Sequence, residues 1–220
     1  MVSQPGSASG RLTFSSPLKE RGFQVRFSEV FTFVDATQLI AKATLWEERD
    51  KARQQKIEKL NNDVRPKVAT DKQARIGCKG NKKYWYGYKE HGSVDMQSGL
   101  INKVATTPAN RPDAQGLRHV CPTQGAIYGD KGYCTAPARQ AAAQGGCHLA
   151  AVQRDNMKTK NRDQDRWYTH LRAPYERVFA QRPKRVRYRG VAKNQFAAFF
   201  HALTFNLKRL LVLEPLLMSA

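Results

Sequence analysis

Apolar and polar positions alternate, cluster and recur along this chain in ways that predict its elements. Phe31–Ile40 reads FTFVDATQLI, a β-branched and aromatic run that predicts a buried strand with a carboxylate, Asp35, near its middle. Residues 46–60 are densely charged, with Glu47 and Lys51 four apart in the favourable order, and predict a solvated helix after that strand. Lys83–Asp95 alternates: Tyr84, Tyr86 and Tyr88 share one face, Trp85, Gly87 and Lys89 the other. Ser98 and Gly99 signal a turn, residues 100–107 supply the hairpin partner, and Pro108 and Pro112 close it. Asp113 is placed to cap a short helix reaching about Val120. Residues 126–130 predict a short strand ending at Asp130, residues 135–144 an Ala-rich helix stopped by Gly145-Gly146, and residues 147–152 the last strand. Two helices end the chain. Trp167, Leu171, Tyr175 and Val178 form one stripe; Phe196, Phe199, Phe200, Leu203, Leu207, Leu210 and Leu211 form another, expected to be core. The order predicts an α/β fold: a mixed sheet flanked by helices, with a charged helical insert after the first strand.

Composition narrows the class. The 220 residues fit one domain with a short arm, and 40% hydrophobic with 10% aromatic residues is enough for a core. Thirty-eight Lys and Arg against 18 Asp and Glu give a formal net charge of +20, which favours a polyanionic partner: nucleic acid or an anionic membrane. Membrane is the weaker choice, because His201, Asn206, Lys208 and Arg209 break the most apolar stretch. Residues 1–17 are rich in Ser, Gly and Pro, and the first ten contain no apolar signal region. Cys78, Cys121, Cys134 and Cys147 form no C-x-x-C pair, so reduced thiols in a cytoplasmic protein are expected. A zinc site on Cys134, Cys147 and His148 would match no standard ligand spacing.

Against that basic background three acids stand out: Asp35, Asp130 in IYGDKGY, and Glu176 in LRAPYERVF. Carboxylates weaken polyanion binding, so acids kept beside a basic surface suggest metal-assisted phosphodiester chemistry. As structural residues, Asp130 would serve a glycine-flanked turn and Glu176 a helix face, whereas an unpaired Asp35 inside an apolar strand is costly. Asp71, Asp95 and Asp113 read as turn or cap residues. Arg177, Arg182, Lys184, Arg185, Arg187, Arg189 and Lys193 follow with no acid among them, either as a solvated loop or as a phosphate-binding run. Tyr84, Trp85 and Tyr86 suit hairpin packing or stacking on an unpaired base.

These pieces, taken in order, resemble the DDE transposases of bacterial insertion sequences, near insertion-sequence families four and five. Val34-Asp35-Ala36-Thr37 is similar to the first-strand motif. Asp71-Lys-Gln-Ala-Arg75, Tyr86-Gly-Tyr-Lys89 and His91 are similar to the hairpin region; Ser98-Gly-Leu-Ile101, Thr107-Pro-Ala-Asn110 and Asp113 to its exit. Gly129-Asp-Lys-Gly-Tyr133 resembles the second-acid motif, and Arg172, Glu176, Arg177 and Phe179 the third-acid helix. Tyr188-Arg-Gly190, Lys193-Asn194 and Asn206-Leu-Lys-Arg209 resemble the closing segment.

The resemblance implies an RNase H-like fold over residues 25–215 and a metal-dependent enzyme that cleaves DNA and transfers strands. Residues 1–24 would be an N-terminal segment left from a helical domain, residues 18–22 being its tail. Asp35, Asp130 and Glu176 would be catalytic and would hold two Mg²⁺ ions, replaceable by Mn²⁺. Two carboxylates ~4 Å apart repel by about 4 kcal/mol at an effective dielectric near 20, a strain that metal relieves. Asp35 would bridge both ions, while Asp130 and Glu176 each hold one. Arg172 joins the basic run as a DNA contact. The implied partner is double-stranded DNA at transposon ends and targets, with a homodimer as an allowed assembly and a location at the cytoplasmic nucleoid. A silent DNA-binding remnant or regulator is the alternative, and a basic nucleic-acid protein without this ancestry a third. The family's Tyr and Lys near the third acid are replaced by Thr169 and Pro183, with Tyr168 and Lys184 adjacent. Pro174 leaves open whether Arg172 and Glu176 share a helix face.

Overall fold

The computed structural model describes residues 29–41, 62–63, 65–79 and 83–218. The expected N-terminal segment at 1–24 and the charged helix at 46–60 lie outside the described residues. Six strands form one curled mixed sheet: β1 (Phe31–Ile40), β2 (Arg75–Lys79), β3 (Lys83–Asp95), β4 (Ile101–Pro108), β5 (Gly125–Gly129) and β6 (Cys147–Ala151). The helices are the single turn α1 (Arg65–Val68), then α2 (Asp113–Val120), α3 (Ala136–Gln144), α4 (Arg162–Ala180) and α5 (Val191–Met218). The strands and helices expected from residue 83 onward are all present, within a few residues of their expected ends.

β1 is central. It pairs antiparallel with β3 along its length, from Thr32↔Asp95 to Ile40↔Gly87. On its other edge β5 runs parallel but reaches only Phe31 to Phe33. Beyond β5 that edge stays open until Ile40, which the segment after α4 covers: Ile40 N–H donates to Lys184 O (2.6 Å) and Val186 N–H to Ile40 O (2.9 Å). The open notch between these two neighbours is where the acids lie.

The two faces of β1 anchor different layers. Val34 packs with Leu117, Ile127 and Tyr133 under α2 and α3. Phe33 packs with Val94, Phe179 and Ala198 under α4 and α5. Two glycines set these distances. A Cβ at Gly92 would stand 2.3 Å from the Phe179 ring, and one at Gly116 2.2 Å from the His91 ring, so α4 and α2 lie close on the sheet only because those atoms are missing.

The two C-terminal helices depart from their apolar patterns. In α4 the fully buried residues are Asp165, Tyr168, Arg172 and Phe179; of the expected stripe Leu171, Tyr175 and Val178 pack at its margin, whereas Trp167 is 54% exposed. Tyr168 meets Tyr128 edge-on, and Asp165 Oδ1 accepts from Gln153 N–H at 2.8 Å. Burying two charged residues hides this stripe from a search for hydrocarbon.

In α5 much of the expected core stripe faces outward, although Phe199 packs against the Phe33 layer. Phe196, Phe200, Leu207 and Leu211 are exposed, while Asn194, Ala198, Ala202 and Asn206 are buried. The cause is β4, whose only strand partner among the described residues is β3. Its outer backbone needs hydrogen-bond partners, and amides from α5 supply them. Asn206 accepts from Ile101 N–H and donates to Ile101 O, both at 2.8 Å; Gln195 accepts from Thr106 N–H (2.6 Å) and donates to Val104 O (3.0 Å). By length and composition Val191–Leu213 could also cross a membrane; its small and amide face, flanked by Phe199 and Phe205, is committed to the sheet.

Asn206→Ala should therefore destabilise the fold by about 2–4 kcal/mol, because it strands a buried N–H and C=O together. Urea unfolding checks this; a loss below about 0.5 kcal/mol would show that α5 does not close the β4 edge.

Candidate functional site

The notch opens into a cavity of about 710 Å³ whose walls include Asp35, Asp130 and Glu176. Each acid arrives from a different element. Asp35 sits mid-β1 opposite Gly92, with its Oδ1 accepting from Ala36 N–H at 2.8 Å. Asp130 follows the last residue of β5, and its Oδ1 accepts from Gly132 N–H at 2.8 Å, which tightens the turn. Glu176 lies on the solvent side of α4.

Helix α4 starts at Asn161, whose side chain accepts from Gln164 N–H at 3.0 Å, and continues through Pro174. Arg172 and Glu176 consequently share a face, and Arg172 Nη2 stands 3.3 Å from Glu176 Oε1. Arg172 is buried below, its guanidinium 5.7 Å from the Phe33 ring, while the Glu176 side chain is 54% exposed. Thr169, where the sequence resemblance leads one to expect Tyr, donates its hydroxyl to Asp165 O within the helix.

The predicted cations divide. Arg172, Arg182 and Lys184 line the acid cavity. Arg182 turns its guanidinium onto the buried Glu90 carboxylate, and burial lowers it to about 10, so it stays charged at neutral pH. Arg185 and Arg187 line a neighbouring cavity of about 410 Å³, and Arg177, Arg189 and Lys193 are exposed outside both.

Lys79, Lys83 and Lys89, to which pattern reading gave no site role, also line the acid cavity, together with Trp85, a candidate for stacking, and Asp113, read as a cap. The alternation in β3 had placed Trp85 and Lys89 together away from the tyrosines, and that was the available signal. Asp113 is the first residue of α2 and forms an ion pair with Lys89 at 2.8 Å; Pro112 precedes it at the cap position. Asp71 and Asp95 do serve turns, accepting from Gln73 and Ala74 N–H and from Ser98 N–H. All four cysteines are free thiols; His148 is exposed and Cys134 and Cys147 contact different partners, so the zinc arrangement does not form.

Charge is distributed unevenly among the cavity acids. Glu176 has Arg172 and Asp113 has Lys89, but neither Asp35 nor Asp130 has an ion-pair partner among the described residues. Burial pushes the Asp35 carboxyl up from 3.8 to about 6; Ala36 N–H opposes the rise, the charge of Asp130 adds to it, and Arg172 and Lys79 counter it. Among the described residues no three His, Cys, Asp or Glu side chains already converge on a point that could hold a metal ion.

A carboxyl whose native pKa exceeds its unfolded value binds extra protons in the native state. Its stabilising effect is complete below about pH 4 and disappears as pH rises through about 6, a loss of about 3 kcal/mol. Asp35→Asn keeps the acceptor for Ala36 and should abolish this component. In chelator, the variant should gain about 3 kcal/mol over the parent at pH 8 and nothing near pH 4, measured by urea unfolding across pH. Equal gains at both pH values would show that Asp35 is not the strained group.

Residues 27–207 match the family described as Transposase DDE domain. Comparison with curated proteins gives no significant match. The family match covers most of the 220 residues and includes all three acids and the strands and helix that carry them. On this ground the chain belongs to the transposase DDE domain family.

Proposed function

We propose that the chain is the catalytic domain of an insertion-sequence transposase, which cuts DNA strands and transfers them using divalent metal ions. The observation that carries this reading is the single cavity lined by Asp35, Asp130 and Glu176 from two strands and one helix, with cations on its walls. The order β4-β3-β1-β5-β6, with β3 antiparallel to β1, supports the RNase H-like assignment.

The donor set fits a hard divalent cation. Carboxylate oxygens are the ligands Mg²⁺ and Mn²⁺ prefer, and Asp35 and Asp130 stand without a paired cation among the described residues, Asp35 in a buried setting. Asp35, Asp130 and Glu176 would hold the ions, Glu176 after release from Arg172. When bound, two such ions activate the attacking water or 3′-hydroxyl and stabilise the leaving oxygen. The chain's own residues do the rest. Lys184 and the freed Arg172 hold the phosphate at the cavity mouth, and Arg177, Arg185, Arg187, Arg189 and Lys193 hold the flanking backbone. Double-stranded DNA at element ends and target is the substrate, reached in the cytoplasm; pairing of two copies would bring two ends together.

The pair between Glu176 and Arg172 also supports a second reading, a protein that binds DNA without cutting it. Nicking of supercoiled DNA with Mg²⁺ or Mn²⁺ separates the two. Parent activity that Asp130→Ala abolishes supports the transposase; binding without cutting by either supports the silent form; cutting by both means a contaminant.

Affinity for DNA should fall steeply with salt. Arg185→Ala with Arg187→Ala should lower the log–log slope by about 2, near 0.9 for each phosphate left without its arginine. A flat response in the parent, read by fluorescence anisotropy, would remove the basic run from the interface.

A further inference from the structure

Asp113, the first residue of α2, is the fourth acid on the cavity wall. Its Oδ1 accepts from Lys89 Nζ at 2.8 Å, yet no hydrogen bond reaches its Oδ2 among the described residues. That free oxygen faces Asp130 across Gly132: a Cβ built on Gly132 would stand 2.9 Å from Asp130 Oδ1 and 3.4 Å from Asp113 Oδ2. The two carboxylates thus crowd one position, and both line the cavity.

A second, independent observation lies beneath them. Tyr133 is 1% exposed, and its hydroxyl has no hydrogen-bond partner among the described residues. Asp113, Asp35 and Asp130 are the acids whose charges reach it. A polar group this deep ordinarily has a partner. This one is a donor without an acceptor, close enough to three acids to feel their charge.

We propose that Asp113 is a fourth carboxylate of the metal site, ligating a divalent cation beside Asp130 once it releases Lys89, with Tyr133 donating to the inner side of the acid cluster. The proposal rests on the metal reading given above for Asp35 and Asp130. Lys89 and Arg172 then have matching roles. Each neutralises one flanking acid, and each is freed when a cation takes over its carboxylate. Lys89 is left inside the cavity, where its ammonium lies 5.9 Å from the Trp85 ring and is available to a phosphate oxygen.

An acid at a helix start paired with a lysine also has a purely structural use, through the helix dipole. Ligand softness tells the two apart. In the full chain, Asp113→Cys and Asp35→Cys each replace a hard oxygen by a thiol that prefers Cd²⁺. On titration with Cd²⁺ both variants should gain a sulfur-to-cadmium charge-transfer absorption above the background of the four native cysteines. Mn²⁺ affinity, read from the spin-resonance signal of free Mn²⁺, should fall about tenfold or more in each. A new band in Asp35→Cys but not in Asp113→Cys overturns this inference and leaves the metal reading standing; a band in neither overturns both. If Asp113→Cys does not fold, Lys89→Met and Lys89→Met with Asp113→Asn take its place. The single change should tighten Mn²⁺ binding and the added Asp113→Asn should weaken it about tenfold or more relative to Lys89→Met. Equal Mn²⁺ affinity in the two overturns the proposal.

Discussion

The structure is organised around one strand that holds a carboxylate between its two packed layers. β1 pairs with β3 and β5, supplies Phe33 to one hydrophobic layer and Val34 to the other, and carries Asp35 between them and the notch. Moving Asp35 into solvent would mean shifting the register, and a one-residue slip would exchange Phe33 and Val34 between layers. The carboxylate is therefore fixed by packing on both sides of it. Its raised pKa follows from this constraint, with burial outweighing the hydrogen bond from Ala36 and the charges of Arg172 and Lys79.

Much of this was legible because the relevant signals are local. The alternation of β3, the turn at Ser98-Gly99, and the glycines after α3 each act within a few residues, and their elements appear where expected. Asp35 was legible for the opposite reason: a carboxylate in an apolar strand violates the local rule. The failures are tertiary. The outward stripe of α5 obeys helical spacing, but the edge of β4 required amides and small residues, which Asn206, Gln195, Ala198 and Ala202 provide. Polar satisfaction outweighed hydrocarbon burial there, since an orphaned buried backbone group costs about 1–3 kcal/mol. The same holds for α4, whose packing face includes Asp165 and Arg172 because each has a partner at its tip.

The site was legible in its acids and not in its balance of charge. Sequence shows a run of cations after Glu176; it does not show that Arg182 is bound to Glu90 or that Lys89 meets Asp113 from another strand. Those pairs change the electrostatics of the cavity. Of the four carboxylates that line the cavity, Asp113 and Glu176 are each offset by a cation, whereas Asp35 and Asp130 have no ion-pair partner among the described residues. On the proposed reading, a basic protein would thereby keep a small region for divalent cations inside a surface suited to phosphates.

That juxtaposition needs a mechanical link, and the segment after α4 provides one. Lys184 O and Val186 N–H both bond Ile40, five residues along the strand from Asp35. Arg182, immediately before, reaches Glu90 on β3, which itself pairs with Thr37. The start of the basic run is thus tied to the strand that carries the acid by backbone bonds, and to its neighbour by an ion pair. A solvated loop would hold phosphates at variable distances from Asp35. A loop pinned at Ile40 and Glu90 would hold them at a fixed one, and the proposed in-line reaction at a single phosphorus would gain from that fixed placement rather than from additional charge.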